Sequence, residues 1–192
     1  MSSRSRHVHY TYTEYLHLEE ESSIRHEYLD GEIYAMAEGT PDHAALAAAV
    51  IGLLRAAIPP SCRVFTSDLR IRTSTGLSTY PDAAVVCGRT LRAEDDPIAV
   101  TNPCVLVEVT SSSTEEYDRG EKLRHYRSLS SLQEILIVSH REPQITIHRR
   151  ESDGRWSTSE AVTGGSVQLN SVAANLAVDE IYRGGLEDAR SS

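Results

Sequence analysis

Two short, unbroken apolar runs, residues 80–87 and 104–110, constrain the fold of this chain more than any other feature. A strand with one solvent face alternates apolar and polar side chains. A continuous run of this length reads instead as a strand covered on both faces, which needs a layer above it and another below. Helical patterns elsewhere in the chain can supply those layers. The expected class is therefore α/β (α+β), a mixed central sheet flanked by helices. Each run also carries one acid, Asp82 in the first and Glu108 in the second. An ionised carboxylate in such a strand is costly unless it is paired or binds a cation, and two close together repel. Taken singly, either acid could be answered by an arginine or could emerge at a strand end. Taken together they point to a hard divalent cation, because Mg²⁺ is commonly held by one or two carboxylates and several waters.

The basic residues add a second constraint. Of 19 lysines and arginines, 18 are arginine, and the one lysine is Lys122. Arginine has been used wherever a generic cation suffices. A lysine that persists against that bias marks a position needing a compact ammonium on a flexible stem, which a planar guanidinium does not replace. Lys122 is therefore expected to act beside the two acids.

Local signals fill in the order of elements. Residues 11–21 read as a helix capped by Thr11 or Thr13. Extended stretches 25–29 and 32–36 flank Asp30-Gly31, a pair suited to the positive φ angles of a type I′ hairpin turn. Thr40-Pro41-Asp42-His43 opens a helix that runs to about Ala57, and Pro59-Pro60 stops it. A strand is expected over 62–72, a helix over 116–129 after the cap-rich turn 111–114, and strands over 133–139 and 144–150. A small hairpin over 156–169 and a helix over 173–182 follow. The chain reads as one domain over 1–192, with short polar tails at about 1–9 and 186–192.

Composition narrows the setting. A formal net charge of −9 works against nonspecific DNA binding, which rests on neutralising phosphates. A local basic groove could still form from Arg70 and Arg72, or from Arg119, Arg124 and Arg127. No apolar run approaches the roughly 20 residues of a membrane helix, and the N-terminus lacks a signal-peptide pattern. Cys62, Cys87 and Cys104 are odd in number and widely spaced, so they read as small buried residues in a reducing compartment, not as a disulfide frame or zinc site. A cytoplasmic location is expected.

Several stretches form an ordered set: Arg25-His26-Glu27-Tyr28-Leu29-Asp30-Gly31-Glu32-Ile33-Tyr34, Thr40-Pro41-Asp42-His43, Ser67-Asp68-Leu69-Arg70, Tyr80-Pro81-Asp82, Val107-Glu108-Val109 with Ser111-Ser112-Ser113-Thr114, and Tyr117-Asp118-Arg119-Gly120-Glu121-Lys122. Together they resemble the PD-(D/E)XK nuclease superfamily, and more closely a bacterial restriction-endonuclease-like family once catalogued as a domain of unknown function. The chain departs from the superfamily pattern at Thr110, where the usual lysine, two residues after the second acid, would stand. In the family that it resembles the lysine lies on the following helix, which Lys122 fits.

The resemblance implies a restriction-endonuclease-like fold with an N-terminal β-hairpin, and a metal-dependent endonuclease that cuts phosphodiester bonds, with DNA as the expected substrate. Asp82 and Glu108 would hold Mg²⁺ or Mn²⁺, with the Val109 carbonyl as a further ligand. Lys122 would orient water or stabilise charge. Glu32 matches the extra acid that many such nucleases bring from an N-terminal element, although a solvated glutamate beside a turn would look the same. His43, at a helix start, reads more readily as surface or packing than as part of the pocket, and Tyr126 as core. Related nucleases often pair, so a two-fold homodimer is expected. The alternative is an inactive nuclease fold serving as a nucleic-acid or protein-binding module.

Overall fold

The computed structural model describes residues 9–36, 39–112 and 115–186. Residues 1–8 and 187–192 of the expected tails, and Ser113 and Thr114 of the cap-rich turn, lie outside the described residues.

Helix α1 (Tyr12–Glu21) starts at Thr11, whose side chain accepts from the Glu14 amide while the Glu14 carboxylate accepts from the Thr11 amide. This reciprocal cap satisfies two amides that a helix start leaves over. Strands β1 (His26–Leu29) and β2 (Glu32–Ala35) form the expected hairpin, with φ of +48° at Asp30 and +87° at Gly31. Helix α2 (Pro41–Ala57) has Thr40 as its cap and buries Leu46, Val50 and Leu54 along one stripe.

Next come β3 (Cys62–Thr66), β4 (Ile71–Arg72), β5 (Ser78–Thr79), β6 (Ala83–Cys87) and β7 (Val105–Val109). Helices α3 (Glu115–Arg119) and α4 (Glu121–Tyr126) lead to β8 (Glu134–Val138), β9 (Gln144–Arg150), β10 (Trp156–Val162), β11 (Ser166–Leu169), β12 (Ala174–Ala177) and α5 (Val178–Ile181). The central sheet has six strands in the order β10-β9-β8-β7-β6-β3. Within it β7 and β8 run parallel and every other pair is antiparallel. A parallel pair needs a crossover, and α3 and α4 occupy it. A second sheet, β2-β1-β5-β4, carries the hairpin, and β11 pairs with β12.

The central strands are buried on both faces, as their unbroken apolar runs require. Val105, Val107 and Val109 of β7 pack with Leu46, Val50 and Leu54 of α2. Leu106, between them, faces the other way, into a cluster with Leu123 and Tyr126 of α4.

Five expectations change. The 62–72 stretch divides between two sheets, because Thr66 and Asp68 close a turn: the Leu69 amide donates to the Thr66 carbonyl at 3.0 Å and the Thr66 hydroxyl to Asp68 at 3.1 Å. The 116–129 helix breaks at Gly120, where a Cβ would sit 2.9 Å from the Glu116 carbonyl oxygen, and helix restarts at Glu121. β10 pairs with β9 and β11 with β12, so 156–169 is not a hairpin on itself. Residues 174–177 form a strand before a single helical turn, because Ala174 and Leu176 alternate inward against Val167 and Leu169. Finally, antiparallel register sets Cys62 opposite Cys87 and the two form a disulfide. The reading of all three cysteines as unpaired is corrected, and Cys104 is the free one. The pairing comes from strand register, which cysteine spacing does not reveal. No helix among the described residues is long and apolar enough to cross a membrane.

One buried group links this packing to pH. His148 of β9 has Nδ1 2.9 Å from the Thr158 hydroxyl. Burial, with Arg127 and Arg119 nearby, pulls its pKa down to about 4. Between that value and its ordinary one the unfolded chain takes up a proton that the folded chain refuses, so stability falls as pH drops through that window. The loss reaches up to about 2 kcal/mol at pH 5. Thermal unfolding of wild type and His148→Gln should therefore diverge between pH 7 and pH 5, with the variant less acid-sensitive. Parallel pH profiles would rule out this role for His148.

Candidate active site

The antiparallel register that pairs Ala83 of β6 with Val107 of β7 brings Asp82 level with Glu108 at one end of the sheet. Asp82 lies just before β6, and its Oδ2 accepts from the Val109 amide at 2.7 Å. His43, in the first turn of α2, places Nε2 3.4 Å from the same oxygen. The hydrogen bond to Asp82 raises the His43 pKa; burial opposes that, and a further hydrogen bond to the Val109 backbone supports it. His43 thus belongs to the pocket, contrary to the surface reading.

Glu108 is 4% exposed. Its Oε1 accepts from the Tyr126 hydroxyl and lies 3.0 Å from Lys122 Nζ. Tyr126 therefore fills the core and also orients the acid. Lys122 is equally buried and stands among three carboxylates: Glu27 at 2.9 Å, Glu108 at 3.0 Å and Asp118 at 3.5 Å. Burial opposes its charge, but the carboxylates, led by Glu108, outweigh burial and raise its pKa well above the usual value. The ammonium stays charged.

Glu32 is elsewhere. It is exposed on β2, and the Tyr34 hydroxyl donates to it. The hairpin acid that reaches Lys122 is Glu27 of β1, 8% exposed, which also accepts from the Thr79 hydroxyl. Sequence reasoning missed it, although a usable signal was present: Glu27 interrupts a short run ending in Tyr28-Leu29, just as Asp82 and Glu108 interrupt theirs. Asp118 was missed too. Its i, i+4 spacing from Lys122 was the available sign. At the position of the usual lysine, Thr110 is fully buried, its hydroxyl 2.8 Å from His140 Nδ1.

The donors fit a divalent cation of the Mg²⁺ type. Burial pushes the Glu108 carboxyl up to about 8; Lys122 opposes the rise, and Asp118 and Asp82 add to it. One ammonium therefore leaves the acids incompletely compensated, which further positive charge beside them would correct. Among the described residues no three His, Cys, Asp or Glu side chains form a ready-made metal cage.

The profile of the Uma2 family, described as "Putative restriction endonuclease", matches residues 12–179. An uncharacterized protein of Synechocystis sp. is 37% identical over 173 residues, covering 89% of this chain and 90% of that protein. A second from the same organism is 30% identical over 152 residues, covering 78% and 86%. The crystal structure of a "putative nuclease belonging to DUF820" from Anabaena variabilis superposes with a TM-score of 0.70 at 19% identity, over 85% of this chain and 92% of that one. The mixed sheet with its flanking helices, and a match along most of its length, make this chain a member of the Uma2 family, with the restriction-endonuclease-like fold of the PD-(D/E)XK nucleases.

Proposed function

We propose that the chain is a metal-dependent endonuclease that hydrolyses phosphodiester bonds in DNA. The observation that carries this reading is the contact between the sole lysine, borne on α4, and Glu108 on β7, at 3.0 Å and beside Asp82. Asp82 and Glu108 are the residues to hold Mg²⁺ or Mn²⁺, and the carbonyl of Val109 is the third expected donor. When bound, such an ion acidifies water and offsets charge on the reacting phosphate.

The protein groups divide the remaining work. The Val109 amide and His43 fix the direction of Asp82, while Tyr126 fixes Glu108. Lys122 keeps its proton and serves as a donor to water or to a phosphoryl oxygen as charge develops there. Glu27 and Asp118 hold that ammonium in position, so they act through it.

Purified protein should nick supercoiled plasmid in Mg²⁺ or Mn²⁺, and Asp82→Ala should abolish nicking while leaving the fold intact. Equal nicking by the variant, or none by wild type in either metal, would favour the inactive binding module. In the same assay Lys122→Arg should lose roughly a hundredfold to a thousandfold in turnover, the usual effect of removing one transition-state donor. Glu27→Gln should lose less, about tenfold, and Glu32→Gln almost nothing. An arginine variant within about threefold of wild type would reduce Lys122 to a generic cation.

We further propose a two-fold homodimer, since a chain of this size covers little duplex and two copies can address both strands. Light scattering at micromolar concentration should give twice the chain mass; a monomer mass would refute the pairing.

A further inference from the structure

The arginines nominated from sequence for a basic groove mostly have acid partners: Arg70 with Asp96, Arg72 with Asp95, Arg119 with Glu115 and Arg124 with Glu121. Arg127 instead lies near the Trp156 ring. Arg63, Arg89 and Arg92 differ. All three are exposed, make no ion pair among the described residues, and line one open cavity of about 420 Å³. Phe65, Leu69 and Ile98 line it as well, and Ile98 is 62% exposed. In a chain of net charge −9, three guanidinium groups without acids around an apolar floor mark a local reversal of the surface field.

Two of the three are held in place. Arg63 lies over the Phe65 ring, 5.2 Å from its centroid, and donates to the Thr90 hydroxyl. Arg92 donates to the Pro97 carbonyl at 2.6 Å. An aromatic face beside ordered guanidinium groups matches what an unpaired nucleotide offers, a flat base and a phosphate. A base inside an intact duplex has both faces stacked and cannot lie on the Arg63 guanidinium that covers Phe65.

The cavity opens on the same face of the central sheet as Glu108. Phe65 pairs with Ala84, Ala84 pairs with Leu106, and Glu108 is two residues further along β7. Two strand spacings and two residue rises separate Phe65 from Glu108 by about 12 Å. That is about three or four nucleotides at the stacked rise of about 3.4 Å.

We propose that this cavity binds an unpaired stretch of the substrate strand beside the cleavage point, with phosphates on Arg89 and Arg92 and a base on the Arg63 guanidinium that Phe65 backs. The proposal rests on the nuclease reading above, but its test does not depend on turnover. The full-length Asp82→Ala protein would be titrated into a fluorescently labelled single-stranded oligonucleotide and, separately, into a duplex of the same length, with anisotropy as the readout. Relative to that parent, Arg89→Gln/Arg92→Gln should weaken single-strand binding tenfold or more. It should also flatten the slope of log affinity against log salt by roughly 1.4, as expected for two lost phosphate contacts on a single strand. Arg155→Gln/Arg183→Gln removes equal charge from two exposed, acid-paired arginines and should change affinity less than twofold. Phe65→Leu should weaken single-strand binding with an unchanged salt slope.

Equal losses from the two double variants, or a cavity variant within twofold of the parent, would overturn the proposal. So would a duplex that binds as tightly as the single strand and loses as much. Plasmid nicking by wild type is scored separately. If nicking occurs and the cavity variants bind normally, only the cavity proposal falls. If nicking is absent while the single-strand losses appear, the cavity stands and the hydrolase reading falls.

Discussion

The ion pairs of Lys122 tie together parts of the chain that are distant in sequence. Glu27 comes from the hairpin sheet, Glu108 from the middle of the central sheet, and Asp118 from the short helix before Gly120. An ammonium buried this deeply is tolerable only while its partners stay in place. Removing one partner of a buried pair typically costs about 3–5 kcal/mol, because the charge left behind has lost both water and counter-ion. The same contacts therefore fasten the second sheet to the first and fix the group that the proposed mechanism uses as a donor to the phosphate. Stability and chemistry share these atoms, so variants in the cluster need a folding measurement beside any activity measurement.

The two acids on the sheet are constrained by a different set of donors. Asp82 is held from the α2 side by His43 and along the strand by the Val109 amide, and Glu108 from the α4 side by Tyr126. The helices on opposite faces thus each supply one orienting side chain to one acid. A carboxylate whose direction is set before an ion arrives loses less entropy on binding it. The burial that forces the sheet to be layered also raises the charge deficit that makes a cation welcome.

Much of this was legible in the sequence. Continuous apolar runs announced strands covered on both faces, and the lone lysine meets one of the acids inside them. Thr11, Asp30-Gly31 and Thr40-Pro41 announced element boundaries through local hydrogen bonding and φ preference. What stayed hidden depended on distance in space. Which acid of the hairpin turns inward is decided by pairing with β5, where Thr79 meets Glu27, and Glu32 stands at a position equally acceptable to solvent. The disulfide is a matter of register between β3 and β6. The break at Gly120 follows from a close approach to a carbonyl that helical periodicity cannot express. His43 looked like an ordinary helix-start residue because nothing in its neighbourhood of sequence reveals that the end of β7 lies beside it.

With the ammonium carried on α4, the end of β7 is left to a small side chain. Thr110, where the superfamily pattern would put lysine, closes the last rung between β7 and β8: its amide donates to the Val138 carbonyl at 2.9 Å and its hydroxyl meets His140. The parallel ladder of the central sheet, the kind that pairs somewhat less stably per residue, is thus closed beside Glu108 by a small side chain. Thr110 therefore serves the ladder alone, whereas α4, through Lys122 and Tyr126, serves both the packing and the direction of Glu108. Change at Thr110 is then felt by one rung, and change on α4 by both sheets.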